Sequence, residues 1–104
     1  MIQTIKKIFG LGPKVNLREL IAQGAIVIDV RSKGEYSGGH VKGSLNIPLD
    51  QLGNDLQKLK NKEQIIITCC ASGMRSATAK GILKSRGYRN VHNGGSWHKV
   101  QQYL

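Results

Sequence analysis

A cysteine and an arginine separated by four residues form the part of this sequence best suited to chemistry. Cys70 begins the segment and Arg75 closes it. The backbone N–H groups of such a turn can converge on an anion, and the thiolate is the nucleophilic form of cysteine. The guanidinium of Arg75 adds a permanent charge and a planar set of donors suited to oxyanions. The segment therefore predicts an activated thiol beside an anion-binding group.

The sequence on either side of this segment predicts a strand before it and a helix after it. The β-branched run at residues 65–67 has no polar alternation, which favours a strand buried on both faces. Apolar residues recur at helical spacing from Ala79 to Leu83, and Gly87 is placed to end the helix. The turn would then lie at the carboxyl end of a buried strand, where open α/β sheets bind ligands. The helix N-terminus would lower the pKa of the Cys70 thiol by stabilising its anion.

The two cysteines are sequence neighbours with different expected roles. Successive residues of a strand point to opposite faces, so Cys69 should point away from Cys70 and behave as a small buried apolar residue. A role for Cys69 in redox protection remains an alternative. Neighbouring cysteines cannot form an ordinary disulfide and make a poor metal site. We therefore expect free thiols, a cytoplasmic location, no metal ion and no cofactor.

Five segments of the chain resemble, in the same order, signatures of the rhodanese (sulfurtransferase) family. These segments are Asp29-Val30-Arg31, Glu35-Tyr36, Gly39-His40-Val41-Lys42-Gly43-Ser44-Leu45-Asn46-Ile47-Pro48, Cys70-Ala71-Ser72-Gly73-Met74-Arg75-Ser76 and Gly94-Gly95-Ser96-Trp97. The resemblance covers most of the chain, from about residue 16 to residue 104. The resemblance implies an α/β fold with a central, mainly parallel sheet of about five short strands and helices on both faces.

The remaining patterns agree with one such domain at residues 15–104, preceded by an extension at residues 1–14 that is expected to pack on it. Residues 25–30 are apolar except for Asp29 and predict a central strand, and further short strands are predicted at 45–47 and 89–92. Asn16 and Ser96 are placed to cap a first and a last helix, the latter carrying Trp97 inward. A helix is also predicted after Pro48, with its inner face formed by Leu49, Leu52, Leu56 and Leu59.

Several charged and polar residues outside the loop are predicted to hold the scaffold. Asp29, at a strand end, is expected to accept backbone N–H groups or to pair with a nearby cation. Arg31 and Glu35 suggest an ion pair across the following turn. His40 could transfer protons near neutral pH, but a hydrogen bond to the backbone is the favoured interpretation.

The charge distribution is strongly positive. Sixteen Lys and Arg against six Asp and Glu give a net charge of +10, and no acidic residue follows Glu63. A potential of this sign around the loop should attract small anions. Specific nucleic-acid binding is disfavoured because aromatic residues are only 5% of the chain and the basic residues are dispersed. No segment is apolar enough to predict a membrane span or a signal peptide.

The resemblance implies a thiosulfate sulfurtransferase that carries sulfane sulfur as a persulfide on Cys70. A role for Cys69 in receiving sulfur remains an alternative. Arg75 would orient the donor, and backbone donors and pocket residues would come from the rest of the loop: Ala71, Ser72, Gly73, Met74 and Ser76. The expected partners are an anionic donor such as thiosulfate and an acceptor such as cyanide or a thiol. Two alternatives stay open: a persulfide carrier serving a protein acceptor, and a phosphatase or arsenate reductase. The related cell-cycle phosphatases have five residues between Cys and Arg, which argues against the last alternative.

Overall fold

A computed structural model of the chain describes residues 16–104. Its elements in chain order are α1 (Leu17–Ala22), β1 (Ile26–Asp29), α2 (Lys33–Ser37), β2 (Leu45–Asn46), a 3-10 helix (Leu49–Gln51), β3 (Ile66–Cys70), α3 (Met74–Ser85), β4 (Val91–Ser96) and α4 (Trp97–Gln101). The expected packing of residues 1–14 on the domain lies outside the described residues.

The four strands form one parallel sheet in the order β2-β1-β3-β4. This arrangement confirms the predicted α/β class. All five residues of β3 are buried, which explains why its sequence lacks polar alternation. The prediction of about five strands was wrong for residues 16–104. Turns occupy the segment between β2 and β3, where N–H groups bond to carbonyls three residues back instead of to a strand.

The two faces of the sheet have separate cores, because side chains alternate along each strand. Ile28, Ile66 and Cys70 face one layer, where Leu83 of α3 packs against them. Val27, Ile67 and Cys69 face the other, which is covered by α1 and α4. The two thiols therefore lie on opposite faces, as predicted.

The helix ends follow the sequence signals closely. The side chain of Asn16 accepts the N–H of Glu19 at the start of α1, and that of Ser96 accepts the N–H of Lys99 at the start of α4. Gly87 follows the end of α3 with φ +95°, a conformation that favours glycine. These local contacts depend on residues three positions apart, which is why the sequence predicts them.

The predicted helix after Pro48 was wrong. Only the 3-10 helix forms there, and turns replace the rest. The carbonyl of Gly53 accepts a hydrogen bond of 2.9 Å from the Arg86 guanidinium instead of serving a helix. Leu52 and Leu59 are nevertheless buried in the core. The spacing of the leucines therefore predicted burial correctly and the backbone conformation incorrectly.

Candidate active site

The Cys70 side chain lies at the carboxyl end of β3. Residues 70–76 form the Cys70 loop, which joins β3 to the first turn of α3 and folds around this sulfur. The Cys70 Sγ accepts the N–H of Gly73 at 3.0 Å and that of Ser76 at 3.4 Å. Sγ is also 3.5 Å from Oγ of Ser76. Gly73 makes the turn possible because its φ is +104°, which side-chain-bearing residues rarely adopt. The loop thus directs backbone N–H groups at one sulfur atom.

These contacts lower the pKa of the Cys70 thiol. Burial acts in the opposite direction, because Cys70 has no exposed surface and a buried charge is disfavoured. The interaction of the sulfur with the Ser76 side chain, together with hydrogen bonds from the N–H groups of Ser76, Gly73 and Ser72, outweighs burial. The first turn of α3, which begins at Met74, also favours a negative charge. The site can therefore hold a thiolate.

Cys69 has the opposite electrostatic setting. It is completely buried on the other face of the sheet. Burial, followed by the negative charge of Asp29, raises the pKa of the Cys69 thiol to about 12. Such a thiol stays protonated at neutral pH and has little nucleophilic character.

Arg75 closes the loop, but a carboxylate holds its guanidinium. Nη1 and Nη2 donate to the two carboxylate oxygens of Glu35 at 2.8 and 3.0 Å. Hydrogen bonding to Arg75 and to the backbone N–H of Ser32 lowers the pKa of Glu35 to about 2. The predicted ion pair between Arg31 and Glu35 was wrong, because the Glu35 carboxylate reaches a residue 40 positions along the chain.

The partner of Arg31 is Asp29, and their ion pair is buried. Nη2 of Arg31 lies 2.7 Å from Asp29 Oδ2, and Nε bonds to the same carboxylate. Arg31 also donates to the carbonyls of Glu35 and Gly39, and its guanidinium stacks 4.8 Å from the centre of the Trp97 ring. Asp29 therefore fixes the loops around the sheet edge, as its position predicted.

Asn93 is a contributor to the site that the sequence did not indicate. Its Oδ1 accepts the hydroxyl of Ser76 at 2.6 Å and the N–H of Gly95 at 2.9 Å, while Nδ2 donates to the Gly73 carbonyl at 3.3 Å. One amide thus joins the Cys70 loop to the end of β4. An Asn before two glycines signals only a turn.

The remaining predicted residues occupy different positions around the loop. Ala71 and Ser72 are exposed, Ser76 is completely buried, and the Met74 side chain is 79% exposed. Met74 is therefore available to a substrate or partner, whereas Ser76 belongs to the surroundings of the sulfur. His40 bonds through Nδ1 to the Tyr36 carbonyl at 2.7 Å, which agrees with its predicted structural role.

An open cavity of about 460 Å³ lies beside the loop. It is lined by Val30, Ser32, Lys33, Pro48, Leu49, Asp50, Gln51 and Arg75. Arg75 is the member of the Cys70 loop that contributes to this lining, and Cys70 itself does not. The cavity can hold part of a ligand next to the guanidinium, whereas the Cys70 side chain has no exposed surface.

Between residues 16 and 104, no three His, Cys, Asp or Glu side chains are grouped as a metal ion would require. Nor does any helix in that range have the length and apolar character to cross a bilayer.

The fold and this loop define an α/β protein with a cysteine of lowered pKa at the carboxyl edge of a parallel sheet. The profile of the Rhodanese-like domain matches residues 14–102, and the chain belongs to this family of sulfurtransferases. It is 36% identical over 69 residues to Thiosulfate sulfurtransferase PspE of Escherichia coli, covering 65% of this chain and 66% of that protein. It is 33% identical over 91 residues to human Thiosulfate:glutathione sulfurtransferase, covering 74% and 79%.

A solved structure and two longer relatives extend these comparisons. The human single-domain sulfurtransferase TSTD1 superimposes with a TM-score of 0.72 and 31% identity, covering 83% of this chain and 89% of that one. The Putative sulfur carrier protein YrkF of Bacillus subtilis is 34% identical over 67 residues, which are 64% of this chain and 36% of that protein. The match to the tRNA sulfurtransferase of Thermoplasma acidophilum, 30% identical and covering 70% of this chain, spans 14% of that protein. The chain thus corresponds to only part of several relatives.

Proposed function

We propose that this protein transfers a sulfane sulfur from thiosulfate, or a similar anionic donor, to a thiophilic acceptor through a persulfide on Cys70. The observation that carries the proposal is the convergence of the Gly73 and Ser76 N–H groups on the Cys70 sulfur. The same contacts lower the pKa of this thiol, so the nucleophile does not depend on a separate general base.

In the first half-reaction, the Cys70 thiolate attacks the outer sulfur of thiosulfate. A new S–S bond forms to Cys70, the S–S bond of the donor breaks, and sulfite leaves with its electron pair. The enzyme then carries a terminal persulfide anion. The N–H groups that stabilise the thiolate can stabilise this second anion, since both place negative charge on sulfur at the centre of the loop.

In the second half-reaction, cyanide or a thiolate attacks the terminal sulfur of the persulfide. The S–S bond breaks, the electron pair returns to Cys70, and the product is thiocyanate or a hydropersulfide. The Cys70 thiolate is regenerated, so the cycle balances without a redox cofactor.

Arg75 and the rest of the Cys70 loop bind the donor and take no part in the making or breaking of covalent bonds. The guanidinium of Arg75 would bind the sulfonate oxygens of the donor through its planar set of N–H groups. Because Cys70 has no exposed surface, a local rearrangement around the sulfur must precede its attack on the donor. The exposed Met74 side chain lies on the Cys70 loop.

The direct test is to incubate the protein with thiosulfate and measure sulfite release, thiocyanate formation with cyanide, and the mass of the peptide containing Cys70. We expect one added sulfur atom on Cys70 and turnover that disappears in Cys70→Ser. Turnover that survives this substitution, or sulfur found only on Cys69, would overturn the proposal. Faster hydrolysis of an aryl phosphate than sulfur transfer would favour the phosphatase hypothesis.

A second candidate is a persulfide carrier that delivers sulfur to a protein acceptor. The 79% exposure of Met74, an apolar side chain on the loop itself, is suited to protein contact. This function predicts a stable Cys70 persulfide with slow turnover of thiosulfate and cyanide. Met74→Ala would then slow delivery to the acceptor protein without changing the reaction with cyanide.

We also propose a reducing compartment such as the cytoplasm as the place of this chemistry. Cys69 and Cys70 are both free thiols, and the reaction requires Cys70 to remain so. A fusion to a fluorescent protein, followed by fractionation, tests this location directly.

A further inference from the structure

The Glu35 carboxylate binds the Arg75 guanidinium, which is the group that the proposed function assigns to the sulfur donor. The two hydrogen bonds between them are 2.8 and 3.0 Å long. We propose that Glu35 is a specificity-determining residue, which competes with the anionic donor for Arg75 and thereby selects strongly charged donors. This inference rests on the proposed function, because it assumes that Arg75 receives the donor.

The position of Glu35 is fixed from its own side of the contact. Oε1 of Glu35 accepts the N–H of Ser32 at 3.0 Å, and the Ser32 hydroxyl accepts the N–H of Glu35 at 3.2 Å. This reciprocal cap at the start of α2 holds the carboxylate in place before any ligand arrives. The ion pair therefore joins two separate elements, α2 and the Cys70 loop, and the helix cap orients its carboxylate.

The carboxylate remains charged throughout the range in which the thiolate forms, because the pKa of Glu35 is about 2. Protonation therefore cannot release Arg75 at neutral pH. An anion that reaches the Arg75 guanidinium must therefore displace the Glu35 carboxylate or bind guanidinium N–H groups that do not donate to Glu35. A dianion such as thiosulfate gains more from the guanidinium than a monoanion does, so the competition favours the more highly charged donor.

The exposure of the pair makes this competition feasible. The Arg75 and Glu35 side chains retain 39% and 38% of their accessible surface. Ion pairs in contact with water contribute little to stability and are screened by salt, so an entering anion can separate this one. The buried pair of Asp29 and Arg31, with 0% and 5% exposure, offers no such exchange.

The experiment compares two alkylating reagents that differ in charge. Iodoacetate and iodoacetamide both form an S–C bond to the Cys70 thiolate and release iodide, but only iodoacetate carries a carboxylate. The ratio of the iodoacetate rate to the iodoacetamide rate, measured on the Cys70 peptide, reports how well the loop attracts an anion. We expect Glu35→Gln to raise this ratio about three- to fivefold, the size expected for a solvent-exposed ion pair.

Glu63→Gln is the matched control, because it makes the same change in net charge at a carboxylate that pairs with Arg89. Its ratio should remain that of the wild-type protein. In Glu35→Gln, the amide oxygen of the introduced side chain can still accept the Ser32 N–H, so the variant keeps the helix cap. Glu35→Asp, which retains the charge on a shorter side chain, should give an intermediate ratio.

Arg75→Ala completes the test as a double-mutant cycle. In the Arg75→Ala protein, Glu35→Gln should no longer change the ratio of the two alkylation rates, because the guanidinium for which Glu35 and the anion compete is absent. An unchanged or lower ratio in Glu35→Gln, or the same increase in the Arg75→Ala background, would overturn the inference. Failure of thiosulfate to load the wild-type Cys70 would instead contradict the proposed function, since alkylation does not depend on sulfur transfer.

Discussion

Cys69 and Cys70 are neighbours in sequence, equally buried, and electrostatically opposite. Both have no exposed surface. The thiol of Cys69 faces an apolar core and the charge of Asp29, and its pKa rises to about 12. The thiol of Cys70 faces the N–H groups of its own loop, and its pKa falls in spite of burial.

The difference shows that burial alone does not decide the pKa of a thiol. Desolvation opposes the thiolate of both residues. What separates them is the set of hydrogen-bond donors that only the Cys70 side of the sheet provides. Because one step along a strand reverses the side-chain direction, adjacent residues of the same type can have unrelated chemistry. Four experiments test this comparison, from the largest expected effect to the smallest.

Removing each thiol in turn gives the largest contrast. Cys70→Ala should reduce the rate of sulfur transfer at least about a thousandfold, because the nucleophile is lost. Cys69→Ala replaces one small buried side chain with another and should leave the rate within about threefold, with some loss of stability. Thiocyanate formation measures both rates. Comparable losses in the two variants would mean that the two faces share the chemistry.

Arg75 tests the anion-binding side of the Cys70 face. Arg75→Ala removes charge-assisted hydrogen bonds to the donor and should lower kcat/KM for thiosulfate about 10- to 100-fold. Arg89→Ala is the control, because it removes an equal charge from a residue that pairs with Glu63. Steady-state kinetics at fixed ionic strength distinguishes the two. Equal effects would indicate that general positive potential, rather than Arg75, attracts the donor.

Gly94 tests the Cys69 face without touching the thiolate contacts. A Cβ at Gly94 would lie 2.7 Å from methyl carbons of Ile67 and Val100, which belong to the core around Cys69. Gly94→Ala should therefore lower the free energy of unfolding by about 1–3 kcal/mol, measured by urea denaturation. Gly81→Ala, at a helical position with open space around its Cβ, should be neutral or stabilising.

The alkylation rate of Cys70 should meanwhile stay unchanged in the folded Gly94→Ala protein. A changed rate would show that packing on the Cys69 face controls the reactive loop.

Ser76 tests the source of the lowered pKa. The pKa of Cys70 is lowered by its hydrogen bonds, so the thiolate should persist below the pH at which an ordinary cysteine becomes protonated. Alkylation by iodoacetamide should rise with pH and level off early. Ser76→Ala removes the hydroxyl contribution, moves this rise to higher pH and should reduce the rate at pH 7 about two- to fivefold.

Ser37→Ala, which removes an exposed hydroxyl that bonds within α2, should leave the pH profile unchanged. A profile that is also unchanged in Ser76→Ala would assign the lowered pKa to the backbone N–H groups alone.

Some contacts at the site join residues far apart in the chain and could not be predicted from the sequence. Glu35 and Asn93 reach the Cys70 loop across 40 and 17 positions, through their bonds to Arg75 and Ser76. Local patterns assigned Glu35 to Arg31 instead, because residues four apart are natural partners on a helix or turn. Only the order of the strands brings the start of α2 and the end of β4 to the same edge.

The sequence by itself determined the strand, turn and helix around Cys70, the opposite orientation of Cys69 and the capping of the first and last helices. Each of these depends on residues within a few positions of one another, where backbone geometry fixes what can meet. The tertiary structure decided which carboxylate holds Arg75 and which amide holds Ser76. It also decided that turns, rather than a long helix, carry the buried leucines after Pro48. Those outcomes depend on contacts between segments far apart in the chain, which short-range periodicity does not encode.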